Sequence, residues 1–405
     1  MAESKKAYFR WIPVLAGIAV QLCLGTAYIW GVFQPKVVEL GWAHTDAART
    51  YSLLLGVLTF GSMVGGKIQD KLSPTPVIII GGVILAAGFF LAGLGTPEMP
   101  WVLWLTYGVM GGFGMGMTYT TTIAVCQKWF PDKRGLITGI IVSALGFGGL
   151  VFTPVANALM DSAGVMATFQ WFALIFLVVT VVCGIIIKNP PQGFKPEGWT
   201  PPAPKEGAAI RQDLTPGQTL KTPQYYMVTL EMLLACAAGL MVIPFAKILG
   251  TDGGLTPEVA AVGVMVISGF NSAGRLFWGW VSDRLGCKRT LIILMVIAAV
   301  GAPIAALVKG AWVLVLIGAV GFSYGGFLGV FPAITSEYFG LRNMGMNYGM
   351  VMLGFSIGAV ASAYVAAYFK ELSGGFLVPF LIASAAAAVA AVLTAFLKPP
   401  KKKSA

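Results

Sequence analysis

Twelve apolar runs recur along this chain, at about 11–34, 48–66, 76–95, 101–127, 136–158, 166–187, 224–249, 259–282, 290–308, 311–336, 344–369 and 376–397. Each is roughly 20 residues, the length that carries a helix across a hydrocarbon core about 30 Å thick. A bilayer interior offers no water to a free peptide group, so such a chain crosses only as helices or as a closed barrel. A barrel would show short segments of alternating polarity; these runs are long and continuously apolar. The expected fold class is therefore an all-α integral membrane protein with twelve transmembrane helices. With 57% hydrophobic and 11% charged residues and a mean hydropathy of +0.82, the composition exceeds what a soluble domain tolerates.

The basic residues orient these helices. Of the 27 Lys and Arg, 21 fall at the two ends or in the even-numbered connections; Lys36, Arg49, Lys247, Lys309 and Lys370 fall on the other side, and Arg275 lies inside a run. The positive-inside pattern then puts both termini in the cytoplasm. The expected location is the cytoplasmic (inner) membrane, and the net charge of +11 reports topology and anionic lipid heads rather than nucleic acid. The first run is too long for a signal peptide's apolar core and is expected to be retained. Cys23, Cys126, Cys183, Cys236 and Cys287 show neither metal spacing nor a disulfide framework. The single histidine, His44, lies in the first outside loop, which argues against histidine proton relays and metal sites. No nucleophile and base pair, phosphate loop or output domain stands out, so neither an enzyme nor a sensor is expected, and no cofactor or metal.

Residues 189–222, NPPQGFKPEGWTPPAPKEGAAIRQDLTPGQTLKT, hold seven of the 23 prolines. That composition predicts an extended, partly mobile cytoplasmic linker between a six-helix bundle at 1–188 and another at 223–405. The halves echo each other. GGKIQDKLSPTP follows the second run and GWVSDRLGCKRT the eighth; KWFPDKRGLITG follows the fourth and SEYFGLRNMGMNYG the tenth. Asp70 precedes Trp129 by 59 residues, and Asp283 precedes Tyr338 by 55. Matching motifs at matching places indicate a parallel internal repeat, as in rocker-type transporters.

Over its whole length the chain resembles the major facilitator superfamily. More narrowly, KWFPDKRGLITG and FNSAGRLFWGWVSDRLG resemble the branch of oxalate:formate antiporters and animal monocarboxylate transporters. The resemblance implies proton-coupled symport of small monocarboxylates, the L-lactate and pyruvate class, by alternating access; carboxylate exchange of the oxalate:formate type without protons is the alternative. The implied partners are a small monocarboxylate anion, protons and the lipid bilayer, with the chain acting as a monomer.

The loops serve as rulers, since a helix rises about 1.5 Å per residue: Arg275, Tyr119, Gln21, Leu145, Phe355 and Tyr324 fall between about 12 and 20 Å above the inner loops. Arg275 is expected to hold a carboxylate with its planar fork, or else to tie helices together through backbone carbonyls. Asn271, one turn away, either bonds a substrate hydroxyl or keto oxygen or orients Arg275; the animal members carry an acid there. Tyr119 is a candidate second donor or an ordinary buried tyrosine. Tyr28, Tyr324, Phe331, Leu145 and Phe355 are candidates for an apolar wall, and at Phe355 the oxalate antiporters carry a lysine. Asp70, Asp132, Arg134, Asp283 and Arg284 are gating candidates at helix ends. Glu231, the only acid well inside a run, is the proton-coupling candidate at Arg275's depth, with a static ion pair as its other reading; Asp252 and Glu258 are weaker choices. Pro154, Pro244, Pro303 and Pro332 lie inside runs, where they bend helices.

Overall fold

The computed structural model describes residues 9–200, 213–242 and 246–400, which are helical with no strand among them. Twelve helices span the membrane: α1 (Ile12–Glu39), α2 (His44–Lys71), α3 (Pro74–Ala92), α4 (100–129), α5 (Arg134–Ala163), α6 (Val165–Ile186), α7 (Pro223–Leu240, resuming at Ala246–Asp252), α8 (Pro257–Leu285), α9 (Cys287–Leu307), α10 (Trp312–Phe339), α11 (Met344–Ser373) and α12 (Leu377–Phe396). The face where residues 9 and 400 lie, with most of the described Lys and Arg, is the basic face.

Local chemistry sets the ends. Prolines open α3, α4, α7 and α8, where a missing N–H costs nothing because the first turn has no acceptor for it. Thr222 and Thr256 cap α7 and α8 by accepting from the backbone N–H groups of Tyr225 and Val259. Gly164 and Gly286, both at φ 86°, are the single-residue joints between α5 and α6 and between α8 and α9, a conformation that other residues adopt only under strain. Pro154, Pro303 and Pro332 lie inside α5, α9 and α10, as does Pro35 inside α1; Pro244 lies outside the described residues. Helices α5 and α11 run on for 30 residues each, past their apolar runs, because a helix satisfies its own backbone whatever solvent surrounds it.

Two helices are not uniform. In α1 the stretch Gly25–Ile29 tightens to a 3-10 helix where it crosses α5: a Cβ on Gly25 would fall 2.2 Å from the Leu145 carbonyl oxygen. In α4 the stretch Trp104–Gly111 widens to a π-helix.

The repeat read from the loops extends into the packing. Gly61 and Gly274 lie nine residues before Asp70 and Asp283. A Cβ on either would fall 2.1 Å from a backbone oxygen of the partner helix, that of Phe113 for Gly61 and of Phe322 for Gly274. Small residues permit such approach in lipid, where dispersion and polar contacts rather than the hydrophobic effect hold helices together. Gly66 against Gly345 and Gly279 against Gly135 repeat the pattern between halves, joining α2 to α11 and α8 to α5.

The linker differs from its expectation where it is described. Trp129 donates to the Lys188 carbonyl and packs its ring 5.0 Å from Phe194. Asp213 accepts from the Leu341 and Arg342 N–H groups, and the Leu214 carbonyl accepts from Asn343 and Asn347. Residues 189–200 and 213–222 are thus anchored, because their polar groups satisfy loop ends of the bundle.

Candidate functional site

Arg275 is completely buried on α8. Its Nε donates to Asn271 Oδ1 at 3.1 Å, its Nη1 to the Val142 carbonyl on α5 at 2.7 Å and its Nη2 to the Tyr28 hydroxyl on α1 at 2.8 Å. All three acceptors are neutral, and among the described residues no carboxylate lies within ion-pair distance. Each hydrogen bond to a charged group is worth about 1.5–3 kcal/mol, which holds the guanidinium in place without cancelling its charge. Of its five N–H groups three are engaged, leaving one on each terminal nitrogen. The result is a fixed buried cation with two free donors.

Asn271 orients Arg275, and Arg275 also joins the two halves through a backbone carbonyl. Tyr28, placed by the 3-10 turn of α1, is 43% exposed and is where the group meets open space. Tyr119 and Tyr324 stand around Arg275 beyond hydrogen-bond contact. Tyr119 lies with its ring 6.4 Å from Tyr348, and its carbonyl accepts from Gln21 at 3.2 Å. Tyr324 packs on Gly239 of α7. Leu145 is buried, and Phe355, partly buried, occupies the repeat-related place 210 residues on.

Other candidates are not brought together. Phe331 has no exposed surface and lies with its ring 6.4 Å from Phe327 on the same helix. Glu231 shares Arg275's depth but faces Thr394, Lys288 and Tyr338, so the pairing expected with Arg275 does not form in this state: α7 turns that residue towards α9, α10 and α12. Asp252 is exposed at the far end of α7, and the side chain of Glu258 lies outside the described residues.

On the basic face the halves are closed against each other. Asp283 accepts from the Gly135 and Leu136 N–H groups, both at 2.8 Å, at the start of α5. Asp70 accepts from Gly345 at 3.3 Å and Met346 at 2.8 Å at the start of α11, with Lys128 3.9 Å away. Each half thus caps a helix of the other, where free N–H groups and the helix dipole favour a carboxylate. Arg134 donates across to the Ser336 carbonyl, while Asp132 pairs within its own half with Arg10 at 3.1 Å. Arg284 takes no part: it lies over the Trp280 ring at 4.1 Å, on its own helix. A cavity of about 250 Å³ lies between the halves there, lined by Asp132, Arg134, Asp283, Glu337 and the linker's Trp199.

Sequence reasoning missed Val142, Ser143 and Trp199. The Val142 contribution is a carbonyl, which no residue type signals. Ser143 donates to the Ser272 carbonyl at 2.8 Å, and a small polar residue beside glycines in IVSALGFGG is the signal that was available.

Residues 15–243 and 228–405 match the Major Facilitator Superfamily. The chain belongs to the major facilitator superfamily. Among its relatives in that superfamily is the uncharacterized MFS-type transporter YhjX of Escherichia coli (strain K12), 33% identical over 89% of this chain and 88% of YhjX. The oxalate:formate antiporter of Oxalobacter formigenes is 28% identical over 96% of this chain and 92% of its own. Monocarboxylate transporter 13 of Rattus norvegicus is 26% identical over 93% and 86%. The fold matches that of the transporter FucP in its outward conformation, with a TM-score of 0.70 at 15% identity, covering 96% of this chain and 99% of FucP. The molecule is a multi-pass transporter of that superfamily, similar to an oxalate:formate antiporter and to a monocarboxylate transporter.

Proposed function

We propose that this protein is a proton-coupled symporter of small monocarboxylates, the L-lactate and pyruvate class, working as a monomer by alternating access in the cytoplasmic membrane. One observation carries the reading: Arg275 is a buried cation held by neutral acceptors alone, a place that a small carboxylate completes through the two remaining N–H groups. Tyr28 and Asn271 position the guanidinium, and Tyr119, Tyr324, Leu145 and Phe355 enclose the aliphatic part. One cation suits a monoanion. The substrate crosses unchanged, and no cofactor takes part.

With the basic face assigned to the cytoplasm, the described state is closed inward, and the six-helix bundles at 1–188 and 223–405 are the rocking bodies. Asp70, Asp283 and Arg134 hold the inner gate.

The same observation supports a second reading. An empty carrier whose cation has no internal counter-charge resists reorientation, since moving a charge through the membrane potential is worth about 2.3 kcal/mol per 100 mV. Without a separate proton site the protein is an obligate anion exchanger. Uptake of labelled L-lactate into proteoliposomes, with and without an inward proton gradient, distinguishes the two. In that assay Arg275→Ala abolishes transport. Arg275→Lys, which lacks the planar fork, falls about 10- to 100-fold, the loss of one charge-assisted bond. Normal uptake by both variants would remove Arg275 from the substrate site.

A further inference from the structure

We propose that Glu231 is the proton-binding site, set in the core of the second half and separate from the substrate's cation; its role in transport rests on the symport reading, whereas its capacity to hold a proton does not. Glu231 has no exposed surface, and neither of its carboxyl oxygens receives a hydrogen bond. A buried carboxylate left in that condition is among the costliest arrangements a protein can hold, and such a group ordinarily neutralises instead.

The surroundings define what it can bind. Helix α11 meets α7 on another face, through Gly354 on Thr229 and Gly358 on Leu233. Towards α12 stands Thr394, towards α9 Lys288 and towards α10 Tyr338. The Thr394 hydroxyl has the Ala390 carbonyl at 2.8 Å and the Met295 sulfur at 3.3 Å as acceptors, and its oxygen keeps lone pairs for a proton carried by Glu231. Lys288 donates to the Ala395 and Leu397 carbonyls at 2.7 and 2.9 Å and forms no ion pair with Glu231. In this state no hydrogen bond from Thr394, Lys288 or Tyr338 reaches an anionic Glu231. A neutral carboxylic acid brings its own O–H, and the lone pairs of Thr394 Oγ1 receive it.

Release follows from Lys288. It lies in the first turn of α9, between Glu231 and the basic face, and its acceptors are carbonyls at the end of α12. When the second half rearranges to open the basic face, movement of Lys288 from those carbonyls supplies the counter-charge that lets Glu231 give its proton to water. The ammonium then pairs with the carboxylate, and the core stays neutral. The same helix that carries Glu231 reaches the substrate group: eight residues on, Gly239 lies so close under Tyr324 that a Cβ would fall 2.4 Å from its ring, and Tyr324 stands around Arg275. Helix α7 thus connects the proton site to the substrate site without their side chains touching.

The test compares wild type and Glu231→Gln. In proteoliposomes carrying a one-unit pH gradient, a one-to-one symporter accumulates L-lactate about tenfold, and the Gln variant drops to no accumulation, so that the ratio of accumulation to lactate exchange falls by about that factor. Accumulation equal to wild type in the Gln variant would overturn the proposal. Infrared spectroscopy of the purified protein gives a readout independent of any substrate. Wild type should show the carbonyl stretch of a buried neutral carboxylic acid that the Gln variant lacks, and identical spectra would also overturn it. The isosteric Thr394→Val variant covers the case in which Glu231→Gln does not fold. It should shift that band to the position of an unbonded acid, and an unshifted band counts against the site. A wild type that shows the band but does not move lactate would sink the symport reading and leave the proton site standing.

Discussion

In the proposed reading a single side chain, Arg275, sets the chemistry, and among the described residues no carboxylate lies within ion-pair distance to balance its charge. Asn271 is the residue that decides this, because an amide accepts from Nε without adding a negative charge. Asn271→Asp supplies the missing anion one turn away. At neutral pH the new carboxylate competes with substrate, and L-lactate affinity falls about tenfold, or about 1.4 kcal/mol. As pH falls the introduced acid protonates, Arg275 is freed and affinity recovers, a pH dependence opposite in cause to any proton site elsewhere. Isothermal titration calorimetry at two pH values checks both the loss and the recovery. Arg275 and Asn271 were legible in the sequence because a lone arginine in an apolar run and an amide four residues before it need no tertiary information. Tyr28 in contact with Arg275 was not, since its bond spans 247 positions in the chain. Glu231 was legible in depth but not in direction.

The elements meet through glycines where charge and side-chain volume are both absent. Gly139 on α5 lies so close to α8 that a Cβ would sit 2.5 Å from the Arg275 carbonyl oxygen. Gly139→Ala therefore penalises the closed state by about 1–3 kcal/mol, the usual cost of overpacking, and leaves the rest of α5 as it was. Spin labels at Lys133 and Arg284, both exposed on the basic face, should show a longer and broader distance distribution in that variant than in wild type. An unchanged distribution would mean that the α5 and α8 contact does not hold the gate. That α5 and α8 are helices was written in their apolar runs. That α1 tightens to a 3-10 turn beside α5 was not, because Gly25 yields to the Leu145 and Gly148 backbones only once the helices are together.

Across the whole molecule the two halves use one device twice. Asp70 caps α11 and Asp283 caps α5, Gly66 and Gly279 precede them by four residues, and Ser62 occupies the place that Arg275 fills in the second half, each eight residues before its aspartate. The scaffold is symmetric and the chemistry is not: Ser62 donates to the Gly116 carbonyl within its own half, whereas Arg275 reaches across. Replacing either aspartate by alanine removes the cap, worth about 0.5–2 kcal/mol. The two caps serve different helix pairs, so their effects should add. Labels at Lys71 and Arg342, both exposed, should report partial opening of the basic face in each single variant and more in the double. Opening in only one of the singles would show that the second cap is ornamental to closure, with Lys128 beside Asp70 the natural reason for an imbalance.

Composition, the spacing of apolar runs, the basic loops and the repeated motifs determined the membrane class, the twelve helices, the two related halves and the one arginine that demanded an explanation. These are properties of the chain read along its length, and the helical rise converts length into depth. The tertiary structure alone decided azimuth: that Arg275 turns to Tyr28 and Val142, that Glu231 turns away from it to Thr394 and Lys288, and that Arg284 lies over Trp280. In lipid a helix with apolar residues all round has no amphipathic stripe to announce which side meets a neighbour, so that choice is made by glycine contacts and backbone acceptors of helices hundreds of residues away.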